Sequence, residues 1–431
     1  MIQYIKITNF GPIRDEVELN LEALDEEGSP AYEAEMPDGR KLLKLAYIYG
    51  PNASGKTTVL RAIDFLRSLW LNPLYNKDHE LDYDPFLFRS DPENNPSAIE
   101  LAFYVGGMRY IYNVMFYKRS VQSEKMVVYR THQPSELFSR TTDLEKRLSH
   151  VEFGTAVKGA AGELAALGTA TLHNNTVLGA FQKINVDLPV FEQLNRWGKN
   201  FFSELIDEAT ELSDYTGFRI TQDPAFADWM NIFLNKADPN LRGVSVKAEK
   251  SSDFEVLFDT FIKNKAEAKD QDQMYRAISM SRQINFLHSL EGNEVYALPL
   301  AKESSGSTRY FGLGGVLYRL LTQPSFASID ELDTSLHSDL MKYFLQLFLL
   351  NSQQSQLIFT THNLFLLEEQ DFIRKDALWF TEKGSNGQVS LFSAADFDSS
   401  KLRKGGSLIN AYKSGRLGAK PNLGSPYLKL D

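Results

Sequence analysis

Cysteine is absent from all 431 residues. That removes a disulfide framework, a thiolate zinc site and a thiol nucleophile in one stroke. Long apolar runs are missing too: none approaches the ~20 residues that a membrane-spanning helix needs. Positive charge is in deficit, with 46 Lys and Arg against 56 Asp and Glu and a net charge of −10. Such a balance argues against a surface that coats nucleic acid generally, while leaving room for local basic patches. No heptad pattern is sustained, which argues against a long coiled-coil arm. The opening Met1–Ile7 alternates like a strand and does not read as a leader peptide. These absences together lead to the expectation of a cytoplasmic protein without a membrane anchor. At 43% hydrophobic residues, the chain can bury one large core or two modest ones.

What is present centres on Gly50-Pro51-Asn52-Ala53-Ser54-Gly55-Lys56-Thr57. It fits G-x-x-x-x-G-K-[ST], the phosphate-binding loop. The apolar run 42–49 before it reads as a buried strand, and 58–66 after it carries apolar residues at helical spacing. Strand, glycine loop and helix are the context that the motif needs. Backbone N–H groups of Asn52, Ala53, Ser54, Gly55, Lys56, Thr57 and Thr58 can then wrap phosphates at a helix N-terminus. Lys56 would reach the β- and γ-phosphates, and the Thr57 hydroxyl would ligate Mg²⁺.

Along the chain, Met1–Phe10 reads as a strand with 17–21 as its antiparallel partner, and 25–40 as a loop or hairpin tip. Residues 72–96 read as loop. A hairpin follows at 99–105 and 109–114 across Gly106-Gly107, with a third strand near 127–129. From Ser135 to Lys236 the pattern reads as mainly helical, and strand signals resume at 243–247, 284–288 and 295–298. Three stretches are therefore expected: 1–130 with the phosphate loop, a helical insertion over 131–240, and 241–431. Inside the insertion, Asn235-Lys236-Ala237-Asp238 matches the guanine-reading Asn-Lys-x-Asp pattern, and Asp214-Tyr215-Thr216-Gly217 matches Asp-x-x-Gly. The first follows an amphipathic helix at 225–234, not a buried strand, so the GTPase reading is set aside.

A second motif lies far downstream. The run Phe326-Ala327-Ser328-Ile329 ends in Asp330-Glu331. An Asp at a strand's C-terminal end can hold Mg²⁺, and an adjacent Glu can orient or deprotonate an attacking water. Upstream, Glu303-Ser304-Ser305-Gly306-Ser307 leads into the apolar helix 308–321. Downstream come Leu332–His337 and then Gln356–Thr361, an apolar strand that ends at His362.

In this order the motifs resemble ABC-type ATPases of the SMC, DNA-repair and OLD-like branch. The chain is also similar to AAA-annotated stand-alone ATPases of bacterial phage-defence operons. The resemblance covers 1–130 and 243–423, and it implies an α/β fold. The architecture implied is an ABC-type P-loop ATPase head, a mixed sheet with an antiparallel β subdomain and an inserted helical domain. It further implies ATP and Mg²⁺ as cofactors, with Thr57 and Asp330 on the metal and Lys56, Glu331 and His362 in catalysis. Ser304 and Gly306 fall where the branch has its signature loop, although Ser-Ser-Gly-Ser lacks that loop's usual second Gly and Gln. Through that loop the branch binds the γ-phosphate held by a second subunit, so a homo-oligomer built on an ATP-sandwiched dimer is implied. A separately encoded effector and nucleic acid are the further partners. Two other function classes compete with this one. A DNA-repair or chromosome-structuring ATPase is disfavoured by the missing heptads. An OLD-type nuclease is disfavoured because too little chain follows His362 once 377–381 and 389–392 serve as the last strands, and Asp396-Phe397-Asp398 reads as a solvated loop. The basic residues Lys401, Arg403, Lys404, Lys413, Arg416 and Lys420 are expected to form a contact surface for an anionic partner.

Overall fold

A computed structural model describes residues 1–24, 29–130, 133–248, 282–289, 294–369, 372–397 and 408–420. Lys401, Arg403, Lys404, Asp398 and Pro421 lie outside these. Two compact units emerge. The first comprises Met1–Asp207, Gln323–Leu332 and Leu349–Asp431; the second comprises Glu208–Thr322 and Asp333–Phe348.

Among its described residues the first unit holds two large sheets and a two-stranded one, Glu33–Glu35 paired with Lys41–Leu43. In the large antiparallel one, the strand order is Leu148–Phe153, Pro134–Asp143, Ser120–Tyr129, Met108–Tyr117, Ser97–Val105, Ile2–Thr8 and Val17–Asn20. Gly106 and Gly107, at φ 57° and 80°, close the central hairpin as its alternation predicted. The sequence reading of helix from Ser135 fails at first: 134–143 and 148–153 are strands, paired in register from Phe138 to Asp143. Their sequences, PSELFSRTTD and LSHVEF, do not alternate apolar with polar residues, so periodicity alone does not announce them. Helices begin at Ala161–Ala170 and continue with Val177–Phe181 and Pro189–Phe201.

Buried charge ties this sheet to the helices. Glu124 and Arg140, both fully buried, approach to 3.4 Å. Glu124 also accepts from the Tyr112 hydroxyl at 2.7 Å and the Val177 N–H at 3.0 Å. Burial pushes the Glu124 carboxyl above its usual range, and these partners oppose the shift. Trp70 packs its indole against Phe103, Tyr112, Trp197 and Phe202, joining the helix Lys56–Leu71 to the same face.

The second sheet of this unit is mixed, in the order Phe326–Ile329, Gln356–Thr361, Leu45–Tyr49, Leu378–Lys383 and Val389–Ser393. The first four run parallel, and the last is antiparallel. Parallel strands covered on both faces are buried along their whole length, as 326–329 and 356–361 are. One detail departs from the sequence reading: 42–49 is not one strand. Lys44 breaks it into Lys41–Leu43 and Leu45–Tyr49. Its buried ammonium donates to the carbonyls of Leu349 and Ser352 at 2.7 and 2.8 Å. The short helix Leu408–Lys413 buries Leu408, Ile409 and Tyr412, and the Tyr412 ring stacks on Phe380 at 5.9 Å. Of the basic tail residues, Lys413 pairs with Glu368 at 3.9 Å, and Lys420 donates to the Lys413 carbonyl.

The second unit carries the three-stranded sheet Leu241–Ala248, Arg282–Ser289 and Val295–Pro299. Beside it lie the helices Leu212–Gln222, Pro224–Ala237 and Ser305–Thr322. Phe233 stacks on Tyr310 at 4.4 Å, and Arg219 lies 4.7 Å over the Tyr318 ring. No helix among the described residues is long and apolar enough to cross a membrane.

Candidate nucleotide site

The parallel strands of the first unit end along one edge of the sheet, where open α/β sheets bind their ligands. Register fixes what stands there. Ile329 pairs with Phe359, so Asp330 comes level with Thr360; Tyr49 pairs with Thr361, so Gly50 comes level with His362. Residues about 30 and 310 positions apart in sequence are thereby set on adjacent strand ends, and Gly50 and Asp330 come to flank the same central strand.

The loop between Tyr49 and Lys56 is tightly built. A Cβ at Gly50 would lie 2.4 Å from both Ser54 Oγ and Thr381 Oγ1. Those two hydroxyls already bond each other at 2.6 Å. Gly55 caps the helix Lys56–Leu71 at φ 96°, and a Cβ there would meet Val389 at 2.7 Å. Ala53 holds a left-handed φ of 60°, a sparsely populated region for a residue with a side chain. The helix has no acidic residue in its first turn, so its positive end is left for an anion. Lys56 is 5% exposed and arches back so that its ammonium donates to the Gly50 and Pro51 carbonyls at 2.8 and 3.3 Å.

Thr57 reaches across to the second motif. Its hydroxyl lies 3.0 and 2.8 Å from the two carboxylate oxygens of Asp330. Asp330 is held from behind by the Thr360 hydroxyl at 2.5 Å, and Thr360 Oγ1 accepts the Glu331 N–H at 2.8 Å. Glu331 itself adopts a left-handed φ of 50°. Strain of this kind costs of order 1–3 kcal/mol and persists only where its surroundings over-determine it. Here the bond to Thr360 and the Leu332 N–H donated to the Thr360 carbonyl at 3.1 Å supply that determination. One hydroxyl and one carboxylate side by side, with phosphate oxygens and water to complete the shell, is a donor set that fits Mg²⁺.

An open cleft of about 980 Å³ runs along this face. Asn52, Ala53, Ser54, Gly55, Lys56, Thr57, Thr58 and Glu331 line it, with Arg61, Phe88 and Lys383. His362 is exposed just beyond its strand, and the next residue, Asn363, accepts from the Tyr49 hydroxyl at 2.7 Å. Ser304 and Gly306 belong to the second unit. Ser304 Oγ there caps the helix Ser305–Thr322, accepting the Ser307 N–H at 3.0 Å. A Cβ at Gly306 would lie 2.8 Å from the Ser335 carbonyl, and Ser335 has φ 63°.

Sequence reasoning missed Thr360 and Thr381. Both are fully buried hydroxyls that directly follow apolar runs, Leu357–Phe359 and Leu378–Phe380, and that polarity was the available signal. Asp396 serves its own turn, accepting the Ser393 N–H at 2.8 Å. The guanine-like Asn235 closes a helix end, donating to the carbonyls of Pro239 and Leu241 at 3.2 and 3.1 Å.

A mixed sheet whose parallel strand ends carry a phosphate-loop motif and, on a neighbouring strand end, an Asp-Glu pair is the arrangement of a P-loop nucleotide-binding core. A family profile described as "AAA domain, putative AbiEii toxin, Type IV TA system" matches residues 45–176 and 180–368. The chain belongs to this family. Among solved structures it is similar to the SMC head domain from Thermotoga maritima, with 13% identity, 91% of this chain and 98% of that chain covered, and a TM-score of 0.40. It is also similar to an SMC head bound to the C-winged helix domain of ScpA, at 10% identity, 91% and 97% coverage and a TM-score of 0.46. A third similarity is to the Pyrococcus furiosus SMC head with an extended coiled coil, bound to the C-terminal domain of ScpA. It has 10% identity, 96% and 99% coverage and a TM-score of 0.36. Comparison with curated proteins gives no significant match.

Proposed function

We propose that the protein is an ATP-binding and ATP-hydrolysing switch, dependent on Mg²⁺, that dimerises around two nucleotides and controls a separately encoded effector in antiphage defence. One observation carries the catalytic part of this reading: Thr57, Asp330 and Glu331, from two distant motifs, meet at the cleft beside Lys56. Backbone N–H groups of residues 52–58 hold the phosphates, and Lys56 exchanges its loop carbonyls for phosphate oxygens. Thr57 and Asp330 would hold Mg²⁺, which would neutralise charge on the phosphates when bound. Glu331 orients the attacking water and accepts its proton. His362 donates to the γ-phosphate. Ser304 and the N–H groups at Gly306 bind the γ-phosphate of a second chain's nucleotide, which is why dimerisation completes the site. ATP thus selects the closed dimer and hydrolysis releases it. The toxin–antitoxin setting in the family's description favours a conflict role over chromosome structuring.

The direct test is steady-state phosphate release by Glu331→Gln alongside ATP affinity. Affinity should be retained and the rate should fall by at least about a hundredfold, at the lower end of the general-base contribution. A variant that turns over at the wild-type rate removes Glu331 from the mechanism.

A further inference from the structure

We infer that Phe88 is the platform on which the nucleotide base stacks, an inference that rests on the nucleotide-binding reading above. Among the described residues Phe88 is the exposed phenylalanine: 68% of its surface is accessible, and it lines the phosphate-loop cleft. Leu87, 60% exposed, lines the same cleft, so two adjacent apolar side chains stand open beside the phosphate loop. The ring is nonetheless held in place. Phe86, two residues earlier and 1% exposed, anchors the segment and meets the Phe88 ring edge-on at 5.8 Å. Gly387 approaches from another side so closely that a Cβ there would lie 2.6 Å from the ring, and its φ is 78°. Lys383, also lining the cleft, places its ammonium 5.8 Å from the ring centroid.

The position relative to the phosphate loop follows from contacts. Gly55 abuts Val389, whose N–H is donated to the Pro12 carbonyl at 2.9 Å. Gly387, which supports Phe88, is two residues before Val389, at most about 7 Å along the chain. The ring therefore stands one hairpin step away from the phosphate-binding backbone, on the scale that separates the phosphates from the base of a single nucleotide. Every base offers a π-face, so such a platform supplies affinity and leaves base choice to edge contacts.

The test titrates wild type, Phe88→Ala and Phe88→Trp with ATP and, separately, with inorganic tripolyphosphate, both with Mg²⁺. Phe88→Ala should bind ATP roughly five- to a hundredfold more weakly. Its tripolyphosphate affinity should be unchanged, which also shows that the loop remains folded. Phe88→Trp should restore ATP binding, with its fluorescence quenched by ATP and not by tripolyphosphate. Equal loss of both ligands in Phe88→Ala, or no loss of either, overturns the platform. Unchanged ATP affinity with lost self-association assigns Phe88 to a contact between copies and also overturns it. Wild type that binds neither ligand defeats the nucleotide-binding reading itself, a distinct result.

Discussion

At the scale of single residues, the site depends on groups that the motifs name and on others that they do not. Lys56 is named: its ammonium is nearly buried and already satisfied by two carbonyls. A charge-assisted contact to phosphate contributes about 1.5–3 kcal/mol. Lys56→Ala should therefore weaken ATP binding roughly 10- to 100-fold in calorimetric titration, and an unchanged affinity would remove the lysine from the phosphate site. Thr360 is not named by any motif, yet it bonds both Asp330 and the Glu331 backbone. Thr360→Val keeps the shape and removes both bonds. Loss of such a supporting partner typically costs 10- to 100-fold in activity or metal affinity. We expect ATP hydrolysis to fall by about that factor and to recover in part at high Mg²⁺, with ATP affinity less affected. Equal activity at all Mg²⁺ levels would reduce Thr360 to a packing residue. Glycine and lysine spacing made the phosphate loop legible, and an apolar run with a carboxylate end did the same for Asp330 and Glu331. Thr360 stayed illegible because its role comes from strand register, which pairs residues 30 apart through space.

At the scale of elements, strong periodicity was informative and weak periodicity misled. The hairpin across Gly106-Gly107 and the helix Pro224–Ala237 stand where alternation and amphipathicity predicted them. Strands Pro134–Asp143 and Leu148–Phe153 lack a clean apolar/polar alternation in sequence; pairing with Ser120–Tyr129 and with each other decides their conformation. A similar contest arises at Asn235-Lys236-Ala237-Asp238. Its Asn235 amide ties the helix end to the next strand, and Asp238 accepts the Asn240 N–H at 2.9 Å. These bonds explain the residues without a guanine. Asp238→Ala should lower the melting temperature slightly, through a hydrogen bond of about 0.5–1.5 kcal/mol. Preference for ATP over GTP in competition binding should not change. A guanine preference in the wild type that this substitution abolishes would contradict the assignment of the motif to helix closure.

At the scale of the whole molecule, the residues proposed for catalysis and those proposed to bind a second chain's γ-phosphate fall in different units. Lys56, Thr57, Asp330, Glu331 and His362 lie in the first; Ser304 and Gly306 lie in the second. A protein built in this way can use ATP as a ligand that favours one assembly state and hydrolysis as the release. The most direct measurement is the mass in solution of Glu331→Gln, by sedimentation or mass photometry, with and without ATP and Mg²⁺. The account predicts that added ATP shifts the variant to twice the 48.9 kDa of one chain, or to a multiple of that dimer. Lys56→Ala under the same conditions should show no such shift. A Glu331→Gln protein that binds ATP while its mass stays the same with and without nucleotide would contradict the account.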